Sequence, residues 1–308
     1  MINKYMKINT LRKRLANKAI ILLNGGTGTE ILNRGYKTKL PLWSAEILLT
    51  NPEVVQQIHT DYVNAGAEII VTDTFRTTKR TFAKKGLSAK KAKEITLLAC
   101  QLAKNAVKKS KVSHPIYIAG DVAPLEDCYS PALTPNKKEL DREIYEYVKN
   151  LKQGGVDFIL IETQITLKEI RTAFEAAKKL QIPAALTVCI NDKLQLLGGE
   201  SLEDTVRLAE KYDPLFIGAN CISPTLETKA VRKFKELTEI PISAHAQGDG
   251  KPEDDQGWEF TRQAKVKTYL KEVKRWIKDG VQIIGGCCGT TPEYIKAIKN
   301  YINIVCKK

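Results

Sequence analysis

Histidine is nearly absent from this chain, with three residues in 308. A metal-dependent hydrolase that relies on histidine and carboxylate ligands at strand ends is therefore disfavoured. No stretch has the long apolar core of a signal peptide or a membrane span, so no membrane partner is expected. The seven cysteines are odd in number and lack the spacing of a small secreted domain. That argues against a disulfide framework and fits a reducing cytoplasm. No motif of the usual nucleic-acid readers is present either.

What is there describes a folded protein. With 43% hydrophobic and 27% charged residues, the chain can bury a sizeable core beneath a solvated surface, which excludes a largely disordered protein. The net charge of +14 would suit a phosphate partner if it were clustered. Instead the lysines are spread through helical stretches such as Lys90 to Lys109, Lys137 to Lys152 and Lys265 to Lys278, often beside Glu or Asp. Such stretches read as solvated helix faces, and no nucleic-acid partner is expected.

Eight short apolar runs recur along the chain, at residues 19–23, 68–73, 116–121, 158–162, 184–188, 215–218, 242–245 and 281–284. Helical stretches alternate with them, from Pro52 to Ala65, Ser88 to Lys109, Lys138 to Gln153, Leu167 to Leu180, Leu202 to Tyr212, Leu226 to Leu237, Trp258 to Ile277 and Pro292 to Ile302. Strand and helix repeated eight times predict a single (β/α)8 TIM barrel over residues 19–308, with a doubly wound open sheet as the alternative. Residues 1–18 are basic and carry no acid; they read as a targeting extension or as a short helix, Thr10 to Asn17, covering the bottom of the barrel. Nothing in the sequence sets an oligomeric state.

On a barrel, Asn24, Asp73, Asp121, Glu162, Cys221, His245 and the pair Cys287-Cys288 all fall at the carboxyl ends of strands, where active sites are built. Adjacent cysteines strain an ordinary disulfide, so a soft metal is the more natural use of Gly286-Cys287-Cys288-Gly289. Cys221, at a second strand end, would complete a three-thiolate zinc shell with one position left for a substrate. A thiol entering that position would lose its proton yet stay nucleophilic, which points to alkyl transfer to sulfur.

The combination of Asn24-Gly25-Gly26-Thr27-Gly28-Thr29-Glu30, Thr72-Asp73-Thr74-Phe75, Glu162-Thr163, Gly218-Ala219-Asn220-Cys221 and Gly285-Gly286-Cys287-Cys288-Gly289 resembles the homocysteine S-methyltransferase family. These motifs occur in order between Ile20 and Ile302. The resemblance implies that Cys221, Cys287 and Cys288 bind Zn2+, that homocysteine is the methyl acceptor and methionine the product, and that Glu162 receives the acceptor's ammonium. It also implies that backbone amides of Gly25, Gly26 and Thr27 hold the carboxylate. The donor stays open among S-methylmethionine, S-adenosylmethionine, betaine and a methyl-corrinoid protein. A different thiol acceptor, or a catalytically inactive basic barrel serving as a scaffold, are the alternatives.

The chain departs from the family pattern in places. The family usually has aspartate where this chain has Asn24, whose amide oxygen can still accept a hydrogen bond from the substrate. Asp73 stands where asparagine is common, as if an acid had moved across the mouth. The segment after strand seven, His245 to Trp258, is expected to face the donor; Trp258 either covers an onium group or packs as the first turn of a helix. His245 reads equally as a contact to substrate or donor and as a structural residue. His59, His114, Cys100 and Cys189 read as structural, and Glu30 as a favourable acid at a helix start. Cys128 could reach the mouth but would close the zinc shell, and Cys306 is terminal.

Overall fold

Side chains of a strand alternate between its two faces, and the eight apolar runs use both. In the computed structural model, which describes residues 4–110, 112–261 and 266–305, they are short parallel strands. These are β1 (Ile21–Leu22), β2 (Ile69–Val71), β3 (Tyr117–Val122), β4 (Phe158–Gln164), β5 (Ala184–Val188), β6 (Ile217–Asn220) and β7 (Ile242–His245), with β8 (Lys251–Glu253) and β9 (Gly257–Glu259) forming a separate hairpin before β10 (Ile283–Ile284). The order β1-β10-β7-β6-β5-β4-β3-β2 becomes a ring because Leu23 bridges Ile69 and Asn24 N–H donates to the Ile69 carbonyl. The expected barrel is therefore closed, and the open-sheet alternative is overturned.

One face of each strand fills the barrel. Ile21, Leu23, Ile69, Val71, Tyr117, Ala119, Phe158, Leu160 and Ile283 pack there with Ile8, Leu11 and Leu15 from the helix Lys4–Ala16. The basic N-terminal segment thus contains a longer helix than the sequence predicts, and it plugs the bottom of the barrel. Each of its three buried apolar side chains contributes about 1.5–3 kcal/mol. Polar contacts fix its position: Lys7 pairs with Asp157 at 2.7 Å, Arg14 with Glu68 at 2.6 Å, and Gln282 Nε2 donates to the Leu15 carbonyl. The opposite strand face, including Leu22, Ile70, Ile118, Ile159, Ile161 and Leu186, packs under the outer helices.

Local signals set the helix ends. Ser88, Asn136, Thr166, Ser201 and Ser223 each accept a hydrogen bond from the first turn of the helix they precede. The helix predicted from Trp258 to Ile277 is corrected: the helix is Val266–Lys278, and Trp258 lies in β9. Gly257 at φ 86° bends the chain there, and the indole of Trp258 donates to the Asp249 carbonyl, so a hairpin replaces the first helical turn. Cys306 lies outside the described residues.

β6 and β7 approach so closely at the register pair Gly218 and Ser243 that a Cβ on Gly218 would sit 2.1 Å from the Ser243 carbonyl oxygen. Gly218→Ala is expected to destabilise the fold by about 1–3 kcal/mol. Urea unfolding measures this, and an unchanged midpoint would show that the strands separate freely.

Candidate active site

At the carboxyl end of the barrel a cavity of about 370 Å3 is lined by the first turn after β1, the ends of β2, β3, β4 and β6, the Cys287-Cys288 corner and the β8–β9 hairpin. The three predicted thiols meet in its wall. Cys221 Sγ lies 2.7 Å from Cys287 Sγ and 3.7 Å from Cys288 Sγ, all three within 4.8 Å of one another. None is in a disulfide. Cys221 has φ 57°, so the chain turns sharply at the end of β6 and aims its sulfur at the corner. The corner itself is pinned: Cys287 N–H donates to the Ala246 carbonyl, Gly248 N–H to the Cys288 carbonyl, and Gly289 N–H to Thr29 Oγ1.

Hydrogen bonds from Cys287 and then Cys288 hold the Cys221 thiol well below the ordinary range, against its burial. Contact with Cys221 pushes the other two up. Three clustered sulfurs, one of them held toward the thiolate, make a soft donor set of the kind that suits zinc and other soft metal ions. With Zn–S near 2.3 Å, tetrahedral thiolates stand about 3.8 Å apart. The Cys221–Cys288 separation already fits, whereas Cys287 must open slightly. Asn220 steadies the cluster from beneath, exchanging hydrogen bonds with Thr163 and reaching Cys287 Sγ at 3.8 Å.

The glycine turn abuts this corner. A Cβ on Gly26 would lie 2.8 Å from the Cys287 carbonyl oxygen, so glycine is required for the close approach. Gly26 N–H donates to Thr290 Oγ1. Asn24 lines the cavity, but its amide oxygen accepts from Val71 N–H and its amide nitrogen donates to the Gly25 carbonyl. The oxygen expected to meet substrate already has a backbone partner, and an aspartate in this pose would set an oxygen against the Gly25 carbonyl.

The acids come together on the opposite wall. Burial, then the Cys221 charge, pushes Glu162 up to about 8, while Asp121 beside it lowers it. Burial, and then the Glu162 charge, hold Asp121 well above the ordinary carboxylate range. Asp73 accepts from Ser44 Oγ at 2.6 Å, leaves its Oδ2 without a partner, and is pushed by burial up to about 6.

His245 is fully buried, with Nε2 3.7 Å from Glu162 Oε1, and is not part of the cavity lining. Burial lowers it to about 4, so it is a neutral ring behind Glu162. Cys128 does line the cavity, outside the three-sulfur cluster. Trp258 stands in the wall.

Phe75, the last residue of a quoted motif, also lines the cavity with Trp43, Arg76 and Tyr129, which sequence reasoning passed over. Arg76 directly follows the quoted Thr72-Asp73-Thr74-Phe75 stretch, which was the available signal; Trp43 and Tyr129 come from loops with no motif.

Compared with known proteins, the chain matches over residues 21–302 a family described as homocysteine S-methyltransferase. It is 28% identical to homocysteine S-methyltransferase 3 of Zea mays, covering 94% of this chain and 91% of the relative. It is 29% identical to a homocysteine S-methyltransferase of Escherichia coli K12, covering 94% and 98%. A selenocysteine Se-methyltransferase of Brassica oleracea is 28% identical, covering 96% and 91%. Among solved structures, the metallated form of the homocysteine methyltransferase MmuM from Escherichia coli superposes with a TM-score of 0.82 at 28% identity, covering 94% of this chain and 99% of that one.

Proposed function

The chain belongs to the homocysteine S-methyltransferase family, and on that premise we propose that it moves a methyl group from a small onium donor to the thiol of homocysteine, giving methionine, at a zinc site formed by Cys221, Cys287 and Cys288. The observation that carries this reading is the meeting of three free thiols in the wall of a ligand-sized cavity. Zinc bound there would supply the Lewis acidity that keeps the acceptor thiol deprotonated at neutral pH.

The protein's own groups orient the acceptor. Glu162 receives its ammonium, with Asp121 lining the same part of the cavity. Gly25 and Thr27 offer backbone N–H groups to its carboxylate, since the Gly26 N–H is already given to Thr290. Trp43, Phe75 and Trp258 supply aromatic wall on which an onium methyl can rest while water is excluded. The acceptor sulfur's electron pair forms the new S–C bond as the bond from methyl to the donor's onium centre breaks; that pair stays with the donor, which leaves neutral. No covalent enzyme intermediate is needed.

A roof formed by β8 and β9 favours small donors over a methyl-corrinoid protein: Leu40 N–H donates to the Asp255 carbonyl and Thr38 Oγ1 to the Gln256 carbonyl, tying the hairpin across the mouth. Free thiols suit a reducing compartment, and we assign the protein to the cytoplasm. Among the described residues no helix is long and apolar enough to cross a membrane. A second acceptor, a thiol or selenol other than homocysteine, is favoured by the uncharged Asn24 and by the Brassica relative.

Metal analysis together with methionine formation from homocysteine tests the reading, with S-methylmethionine, S-adenosylmethionine and betaine supplied in turn. One zinc per chain and methionine from at least one donor are expected. A protein that takes up no zinc and makes no methionine from any of the three would overturn the proposal.

A further inference from the structure

Glu162 and the three thiols stand on different strands, yet one buried side chain touches both neighbourhoods. Thr163, directly after Glu162, has φ 53°, and the register between β4 and β5 shifts between Ile161 and Gln164. A β-branched residue in the left-handed region inside a strand persists only where its surroundings hold it there. A bulge of this kind re-aims the side chains beside it, and Glu162 at this point of β4 lines the cavity. Asn220, fully buried at the end of β6, is the group that holds it. Its Oδ1 accepts from Thr163 N–H at 3.1 Å, and its Nδ2 donates to Thr163 Oγ1 at 2.8 Å.

The same amide nitrogen reaches Cys287 Sγ at 3.8 Å, and the residue that follows Asn220 is Cys221, itself at φ 57°. Asn220 therefore touches the bulge that carries Glu162 and the sulfur cluster at once. A metal held by Cys221 and Cys287 would fix the Asn220 amide, and with it the bulge. An ammonium held by Glu162 would order the same bridge from its other end. We infer that Asn220 is a positioning residue that couples the two parts of the acceptor site, so that zinc and the amino-acid head of the acceptor each tighten the binding of the other. The assignment rests on the methyl-transfer reading above. If Asn220 only filled the core, its loss would weaken both ligands and leave their coupling intact.

Norleucine separates the two roles, because it carries the amino-acid head but no sulfur that could ligate the metal. Its affinity is measured by calorimetry on the metal-free and the zinc-loaded full-length protein, and zinc affinity by chelator competition with and without saturating norleucine. In the wild type each ligand is expected to tighten the other by about 10-fold, the two ratios being equal as linkage requires. Asn220→Ala should bring the ratio below about 2-fold, whatever it does to either affinity alone. Thr163→Val, which removes the Oγ1 acceptor, should lower the ratio in the same direction, and Thr163→Ser, which keeps that oxygen, should preserve it. The Thr163 pair decides the matter where Asn220→Ala takes up no zinc. Equal affinities in the two metal states of the wild type, or an undiminished ratio in Asn220→Ala and Thr163→Val, would overturn the assignment. Coupling without methionine formation in the separate turnover assay would support the brace while sinking the transfer reading; turnover without coupling would do the reverse.

Discussion

Cys221→Ser is expected to remove metal and turnover together, from one zinc per chain to less than about a tenth, with kcat/KM lowered by about 1,000-fold or more. Disturbing only an outer partner of a ligand already costs about 10- to 100-fold, and this change removes one of the three clustered sulfurs outright. The decisive comparison is Cys128→Ser. Cys128 lines the same cavity and is buried, yet lies outside the three-sulfur cluster, so its variant should keep zinc. Elemental analysis of both proteins decides the matter: zinc retained without Cys221, or lost without Cys128, means the ligand set has been misread.

The second large effect concerns Glu162. Burial, then the Cys221 charge, pushes its carboxyl up to about 8, and an arriving ammonium favours only the ionised form. Below pH 8 binding must therefore expel a proton, and affinity is expected to rise about tenfold for each pH unit between 6 and 8, then level off. Methionine is the right probe because it has no thiol proton of its own to lose. Glu162→Gln should abolish this slope and weaken methionine binding at pH 8 by roughly 30-fold or more, the scale for deleting one partner of a buried charge pair. Asp121→Asn is isosteric with the protonated acid and should leave the slope in place. Calorimetry in buffers of different ionisation enthalpy would count the proton released; a flat profile in the wild type would remove Glu162 from ammonium recognition.

How much of this was legible beforehand depends on the kind of signal. The barrel strands announced themselves as apolar runs because both faces of each strand are buried, a property written in composition alone. Trp258 misled because the segment from Lys251 to Glu259 is too short for a period to show. Its hairpin is held from outside that segment, by the Leu40 N–H, the Thr38 hydroxyl and the Asp249 carbonyl. Placement at a strand end likewise said nothing about which layer His245 would occupy; Glu162, from a strand three places away in the sheet order, covers it.

By itself, then, the sequence determined the number of barrel strands, the layer architecture and the thiol chemistry, since these follow from local pattern and from the intrinsic softness of sulfur. Only the tertiary structure decided which groups share a neighbourhood. Cys221 and Cys287 stand 66 residues apart and come within 2.7 Å. Asn24 finds its amide occupied by the backbone, and Arg76 lines the same cavity as six acids yet makes no ion pair among the described residues. The cause is geometric: closure of the ring fixes the register between strands remote in sequence, and register fixes which side chains meet at the mouth.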